Sequence, residues 1–235
     1  MPRLFVPAEN FPEISGADAH YLRNVLRLQA GDRLELLDGT GRVHEAEIVS
    51  LTKSQARVKI IKSHQAETEP EVKVTLAQAL PKGQKMDFVI EKSVELGVNR
   101  IIPVLTERTI SKNTKLDRWR KLAKEAAEQS GRAIIPEVTE LTNFSAVLKL
   151  KSPSSLALLP WELEKARTLK SVLSDNLILR YSDILILIGP EGGFSRTEVE
   201  QAQALGWQTV SLGKRILRTE TAGLAVLANI MYERE

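Results

Sequence analysis

Two segments near the C-terminal end hold residue types and spacings that could do chemistry. The first is Ile188-Gly189-Pro190-Glu191-Gly192-Gly193-Phe194. Its glycines allow unusual φ values and let the backbone approach a ligand closely. It directly follows the most apolar run of the chain, Ile184–Ile188, and open α/β sheets bind ligands at the carboxyl ends of their strands. It is neither the phosphate loop G-x-x-x-x-G-K-[ST] nor G-x-G-x-x-G, because Pro190 and Glu191 break that register. A tight strand-to-helix turn would call for glycine just as well. The second segment is Leu212-Gly213-Lys214-Arg215-Ile216-Leu217-Arg218-Thr219-Glu220-Thr221-Ala222. A strand ends, an irregular basic stretch follows, and a helix begins near Thr219. A threonine cap and a glutamate favouring the helix dipole account for Thr219 and Glu220 in ordinary terms. They leave Ile216 and Leu217 unexplained in a polar loop, unless these cover something apolar.

The elements that must position these segments follow from periodicity. From Val72 the chain alternates strand and helix, the mark of an α/β sheet. Val72–Leu80, Arg100–Leu105, Ser155–Leu159, Ile184–Ile188 and Trp207–Leu212 are predicted strands. Gln84–Leu96, Leu116–Ser130, a helix ending at Leu205 and Thr219–Tyr232 are predicted helices. Leu116–Ser130 is expected to bury Trp119, Leu122, Ala126 and Ala127. Ser195-Arg196-Thr197-Glu198 forms a capping box for the third of these helices. The first seventy or so residues read differently. One helix, about Asp18 to Leu28, is predicted to stack Arg23 and Arg27 one turn apart. Short alternating runs at Arg3–Val6, Arg33–Leu37, Val43–Leu51 and Ala56–Ile61, with the hairpin signal Asp38-Gly39-Thr40-Gly41, point to a small antiparallel barrel. The polar stretch Ser63–Glu71 is read as the linker.

Composition excludes several classes. The 235 residues contain no cysteine, which removes disulfides, thiolate nucleophiles and cysteine-based metal sites. His20, His44 and His64 lie without clustered carboxylates, so no metal site is expected. No apolar run approaches the ~18 residues of a membrane span, and Met1-Pro2-Arg3-Leu4-Phe5 has no signal-peptide character. A cytosolic protein with no membrane association is the simplest reading. The net charge of +3 identifies no partner, but its distribution is uneven: residues 1–72 carry 9 Lys+Arg against 11 Asp+Glu, and residues 100–132 carry 9 against 4. By charge alone that surplus reads as a solvated helix face before a phosphate-facing patch.

Taken together, the glycine loop and the final motif resemble those of the bacterial RsmE-type 16S ribosomal RNA uridine-N3 methyltransferases, of the SPOUT class. The similarity continues in His20-Tyr21-Leu22-Arg23-Asn24-Val25-Leu26-Arg27, in Lys92-Ser93-Val94-Glu95-Leu96-Gly97, in Glu107-Arg108 and in Glu125-Ala126-Ala127-Glu128-Gln129-Ser130. It spans nearly the whole chain, loosely in the linker and over residues 140–180.

The resemblance implies an α/β protein with a PUA-like β-barrel that binds RNA (residues 1–71). A SPOUT methyltransferase domain follows (residues 72–235), with a deep C-terminal trefoil knot. Threaded chains are nearly absent among folds, so physics alone would not predict the knot. The resemblance further implies a homodimer, S-adenosylmethionine as cofactor, and 16S ribosomal RNA in the small subunit as partner. The target would be the uridine at position 1498. Mapped here, Leu158, Leu159, Pro160, Ile188, Gly189, Pro190, Gly192, Gly193, Leu212, Gly213, Ile216, Leu217, Arg218, Thr221 and Ala222 would surround the cofactor. Arg218 would stabilise charge on the uracil oxygens, and Glu191 and Glu220 are the carboxylates available for the N3 proton. Both glutamates would serve equally to hold loop backbone. Arg3, Arg23, Arg27, Arg108 and Arg132 are expected on RNA phosphates. N3 lies on the Watson–Crick edge, so the base must be unpaired or flipped out. A SPOUT enzyme acting on another RNA, such as transfer RNA, and a non-enzymatic RNA-binding module are the competing readings. The apolar series Leu224, Leu227, Ile230 and Met231 in the last helix is the expected dimer face.

Overall fold

The computed structural model describes residues 1–110, 113–174 and 178–234. They fall into two compact units, one of Met1–Glu69 with Ala127–Ile135, the other of Pro70–Ala126 with the residues from Pro136 onward.

The first unit holds strands β1 (Arg3–Phe5), β2 (Glu13–Ser15), β3 (Arg33–Leu37), β4 (Arg42–Leu51) and β5 (Gln55–Gln65), with the short helix α1 (Gly16–His20) between β2 and β3. They form one sheet in the order β1-β3-β4-β5-β2. Alternation along β3 and β4 sends Leu34, Leu36, Ala46 and Ile48 inward, where they meet Leu4, Ile14 and Leu22. The expected all-antiparallel arrangement needs one correction: β1 pairs with β3 in parallel. The strand read as Ala56–Ile61 runs on to Gln65, pairing Ser63, His64 and Gln65 with His44, Val43 and Arg42. Its last residues are exposed, so they carry no apolar alternation to read.

The predicted Asp18–Leu28 helix is also corrected. After α1 the backbone widens into a π-turn over Tyr21–Val25. The Leu26 N–H donates to the Tyr21 carbonyl, and that of Leu28 to the Leu22 carbonyl. Arg27 follows with φ of 55°, a left-handed conformation uncommon for a residue with a side chain. Arg23 and Arg27 therefore do not stack on one helical face; Arg27 lies beyond the helix end, and both are exposed.

The second unit is built on a seven-stranded sheet of β6 (Lys73–Ala79), β7 (Arg100–Leu105), β8 (Glu137–Val138), β9 (Thr142–Asn143), β10 (Ser155–Pro160), β11 (Asp183–Ile188) and β12 (Gln208–Val210). Its order is β12-β10-β11-β6-β7-β8, with β9 also on β7, and each pairing is parallel. Parallel strands covered on both faces become continuous apolar runs, as in β11, where Ile184 to Ile188 are all buried. Helices α2 (Lys85–Glu95), α3 (Leu116–Ser130), α4 (Phe144–Leu148), α5 (Leu169–Leu173), α6 (Arg196–Ala204) and α7 (Thr219–Arg234) connect or follow the strands. In α3, Trp119, Ala123, Ala126 and Ala127 are buried, while Leu122, expected inside, is half-buried. The Ser195 capping box forms, its hydroxyl accepting from the Glu198 N–H. The apolar series of α7 packs within its own unit: Leu227 and Ile230 are fully buried and Met231 nearly so, leaving only Leu224 partly exposed. Among the described residues, no helix is long and apolar enough to cross a membrane.

Candidate active site

In a parallel sheet every strand's carboxyl end faces the same edge, so neighbouring strands pool their following loops. The loops after β10, β11 and β12 together enclose a cavity of about 550 Å³. That is ample for a cofactor-sized molecule, since such sites are typically some 300–1,000 Å³. The end of β10 and its loop give Pro160, Trp161 and Glu162; the end of β11 and its loop, Ile188 to Phe194; the loop after β12, Ser211 to Arg218; Lys85 of α2 and Thr219 and Ala222 of α7 complete the lining. Both segments singled out from sequence thus face one cavity. Leu158 and Leu159 do not reach it: they are fully buried in the sheet. Thr221 does not line it either and is exposed on the first turn of α7.

The glycine loop is tied at several points. The Gly193 N–H donates to the Pro190 carbonyl at 2.9 Å. At its start, the Thr219 hydroxyl donates to the Gly189 carbonyl at 2.6 Å. The same hydroxyl accepts from Gln78 Nε2 at 2.9 Å, so one side chain at the head of α7 joins both loops to the end of β6. Of the three loop glycines only Gly193 uses left-handed backbone, with φ of 65°. Gly192 does not, and a Cβ there would make only ordinary contact with Arg108, at 3.4 Å.

Lys85 lies between the two glutamates, its Nζ 3.4 Å from Glu191 Oε1 and 3.2 Å from Glu220 Oε2. Glu191 also accepts the Lys82 N–H at 2.9 Å. Burial opposes the charge on Glu191. The Lys82 and Glu191 N–H groups and Lys85 together outweigh it and hold the carboxyl below its usual range. Glu220 has a side chain only 12% exposed, whereas that of Arg218, 4.0 Å away, is 82% exposed. Trp161 is half-buried, and its buried indole N–H has no partner among the described residues.

Sequence reasoning missed Lys85, Trp161, Glu162 and Gln78. Two of them carried a signal. Lys85 opens a helix, where the dipole disfavours a cation, so its place asks for acidic partners. Gln78 is a polar residue in an apolar strand, so its amide calls for partners once buried; its Nε2 finds them in the Ala79 carbonyl and the Thr219 hydroxyl.

A model of the RNA methyltransferase domain matches residues 68–231, and one of the RNA methyltransferase PUA domain matches residues 14–61. A ribosomal RNA small subunit methyltransferase E of Synechocystis sp. is 40% identical over 97% of this chain and 76% of its own length. That of Bacillus subtilis is 34% identical over 94% and 90%. This chain belongs to the ribosomal RNA small subunit methyltransferase E family. Among solved structures, the family member from Neisseria gonorrhoeae, bound to S-adenosyl methionine, is 34% identical. It superposes with a TM-score of 0.88, covering 99% of this chain and 97% of that one.

In this chain, the five arginines expected on RNA have different surroundings. Arg23 and Arg27 are exposed. Arg3 bonds Glu35 through Nε. Arg132 is corrected: it is 3% exposed, and its guanidinium rests on Glu69 at 2.6 Å. Glu69 also accepts the N–H groups of Ala133 and Ile134. Burying a guanidinium requires such a partner, and a phosphate has no access to it. Arg108, exposed, donates from Nη1 to the Gly192 carbonyl at 2.7 Å.

Proposed function

We propose that this protein transfers a methyl group from S-adenosylmethionine to N3 of a uridine in 16S ribosomal RNA, position 1498, on the small ribosomal subunit. One observation carries the reading: the glycine loop and the Leu212–Ala222 segment line one cavity, in a chain alike over nearly its full length to a family member bound to S-adenosyl methionine. The lining fits the cofactor. Ile216 and Leu217 offer apolar faces for an adenine ring, the glycine loop offers backbone groups for its polar edge, and the unpartnered Trp161 N–H offers a donor. Bound there, the cofactor supplies an electrophilic methyl on a sulfonium.

The chain's own residues have four tasks. The loops hold the approach in line and dry. Arg218, exposed at the cavity, meets charge developing on the uracil oxygens. Glu220 takes the N3 proton. Glu191 holds the loop instead: it accepts the Lys82 N–H, and its backbone donors with Lys85 keep its carboxyl below the usual range. Arg23 and Arg27 of the PUA-like unit, with Arg3, reach RNA phosphates. The same reading includes a trefoil knot in the C-terminal segment, a cytoplasmic location and a homodimer.

The test is methylation of small subunits, and in parallel of total transfer RNA, from a strain lacking this modification, with labelled cofactor and mass mapping of the RNA. Label at N3 of the stated uridine is the expected result. Label only in transfer RNA would move the target. Cofactor binding absent by calorimetry would make the protein an RNA-binding module.

A further inference from the structure

Arg108 looks like a phosphate ligand in the sequence, yet its bonds belong to the cavity. The turn that carries it, Thr106 to Thr109, is closed on itself: the Thr106 N–H donates to Thr109 Oγ1 at 3.0 Å, and the Thr109 N–H to the Thr106 carbonyl at 3.1 Å. It is then fastened to the segment that follows β11 at two places. Glu107 donates its N–H to Glu198 Oε1 at 2.8 Å and accepts the Ser195 hydroxyl at 2.6 Å. Glu198 is buried and its other oxygen takes the Ser195 N–H at 2.9 Å, so this attachment is rigid. The second attachment is Arg108 on the Gly192 carbonyl, with its aliphatic stem against Gly192.

The peptide unit between Gly192 and Gly193 has a glycine on each side. Neither flank has a Cβ to restrict rotation, so this is among the least restrained peptides a chain can contain. It also lines the cavity. Its orientation therefore depends on outside bonds: the Gly193 N–H on Pro190 from within the loop, and Arg108 on the Gly192 carbonyl from outside it.

We infer that Arg108 is a positioning residue for the cofactor loop, setting the direction of the Gly192–Gly193 peptide before any RNA arrives. This rests on reading the cavity as the cofactor pocket. It differs from a phosphate role in what it predicts without RNA. Arg108→Ala is expected to weaken S-adenosylmethionine binding to the RNA-free protein on the order of threefold to tenfold, the share left to a charged hydrogen bond that is partly exposed. Arg108→Lys, which keeps a cationic donor, is expected to recover part of that loss. Amide exchange at Gly193 is expected to quicken in Arg108→Ala while exchange in β11 stays unchanged, a readout that needs no cofactor. A purely phosphate-bound Arg108 gives the opposite pattern: cofactor affinity and Gly193 exchange as in the wild type, with the salt dependence of RNA binding flattened by about one unit of slope. That pattern overturns the inference. Wild-type protein that binds no cofactor would instead refute the proposed function, and the exchange measurement would still decide the role of Arg108.

Discussion

The two walls of the cavity are built in opposite ways. The glycine loop is held by Thr219 at Gly189, by Lys82 and Lys85 at Glu191, and by Arg108 at Gly192. From Leu212 to Arg218 the segment after β12 has few ties: the Gly213 N–H on Ser211 Oγ at 3.3 Å, the Arg218 carbonyl accepting from Thr221 and Ala222, and the Arg218 guanidinium 4.0 Å from Glu220. Gly213, Lys214, Arg215, Ile216 and Arg218 are all exposed. One wall has its ordering entropy settled when the protein folds; the other still has side chains free to be ordered by what binds. Substitutions in the first wall should therefore damage fold and binding together, and side-chain truncations in the second should damage binding alone, with only the strained backbone at Gly213 costing stability there.

The largest effect is expected from Gly193→Val. Its φ of 65° is hard for a β-branched residue, and the new Cβ would sit 2.9 Å from Glu162 Oε1. We expect a loss of about 2 kcal/mol in stability and no cofactor binding measurable by calorimetry. Next comes Thr219→Ala, which removes the bonds to Gly189 and Gln78. Denaturant unfolding should show a loss of about 1–3 kcal/mol, because Gln78 is left buried with fewer partners. On the looser wall, Gly213 has φ of 110° but open space where a Cβ would go. Gly213→Val should thus cost strain only, about 1–2 kcal/mol by thermal unfolding. Ile216→Ala should leave stability within about 0.5 kcal/mol and weaken cofactor binding; a fall in thermal midpoint to match Thr219→Ala would erase the contrast between the walls.

The smallest effect is a dependence on pH. The Glu191 carboxyl is held below its ordinary range, so what it adds to stability is fully present above the unfolded value, roughly 4.3. It is lost as pH falls through the lower folded value. The difference in unfolding midpoint between wild type and Glu191→Gln should stay constant from neutral pH down to that unfolded value, then shrink. A difference that grows on acidification would place the sign wrongly.

Much of this was legible residue by residue. Strand runs such as Ile184–Ile188 and the Ser195–Glu198 capping box depend on neighbours in the chain, and local periodicity and turn chemistry report those directly; that the glycine loop and Leu212–Ala222 belong to one site came from the family resemblance. The dimer stripe read from α7 shows the limit of that method. An apolar face at helical spacing says that something covers it, and here its own unit covers Leu227, Ile230 and Met231.

By itself the sequence determined the family, the main strands and helices, and the two segments that line the cavity, but not the short strands and helices at Glu13–Ser15, Glu137–Val138, Thr142–Asn143, Phe144–Leu148 and Leu169–Leu173. Only the tertiary structure decided what each charged side chain does. Arg108 meets Gly192 across 84 residues of chain, Arg132 meets Glu69 across 63, and Lys85 meets Glu191 across 106. An arginine buried on a carboxylate, one bonded to a loop carbonyl and one exposed to solvent are the same letter in a sequence. Desolvation and the partner brought close by folding separate them, and neither is a property of the neighbouring residues.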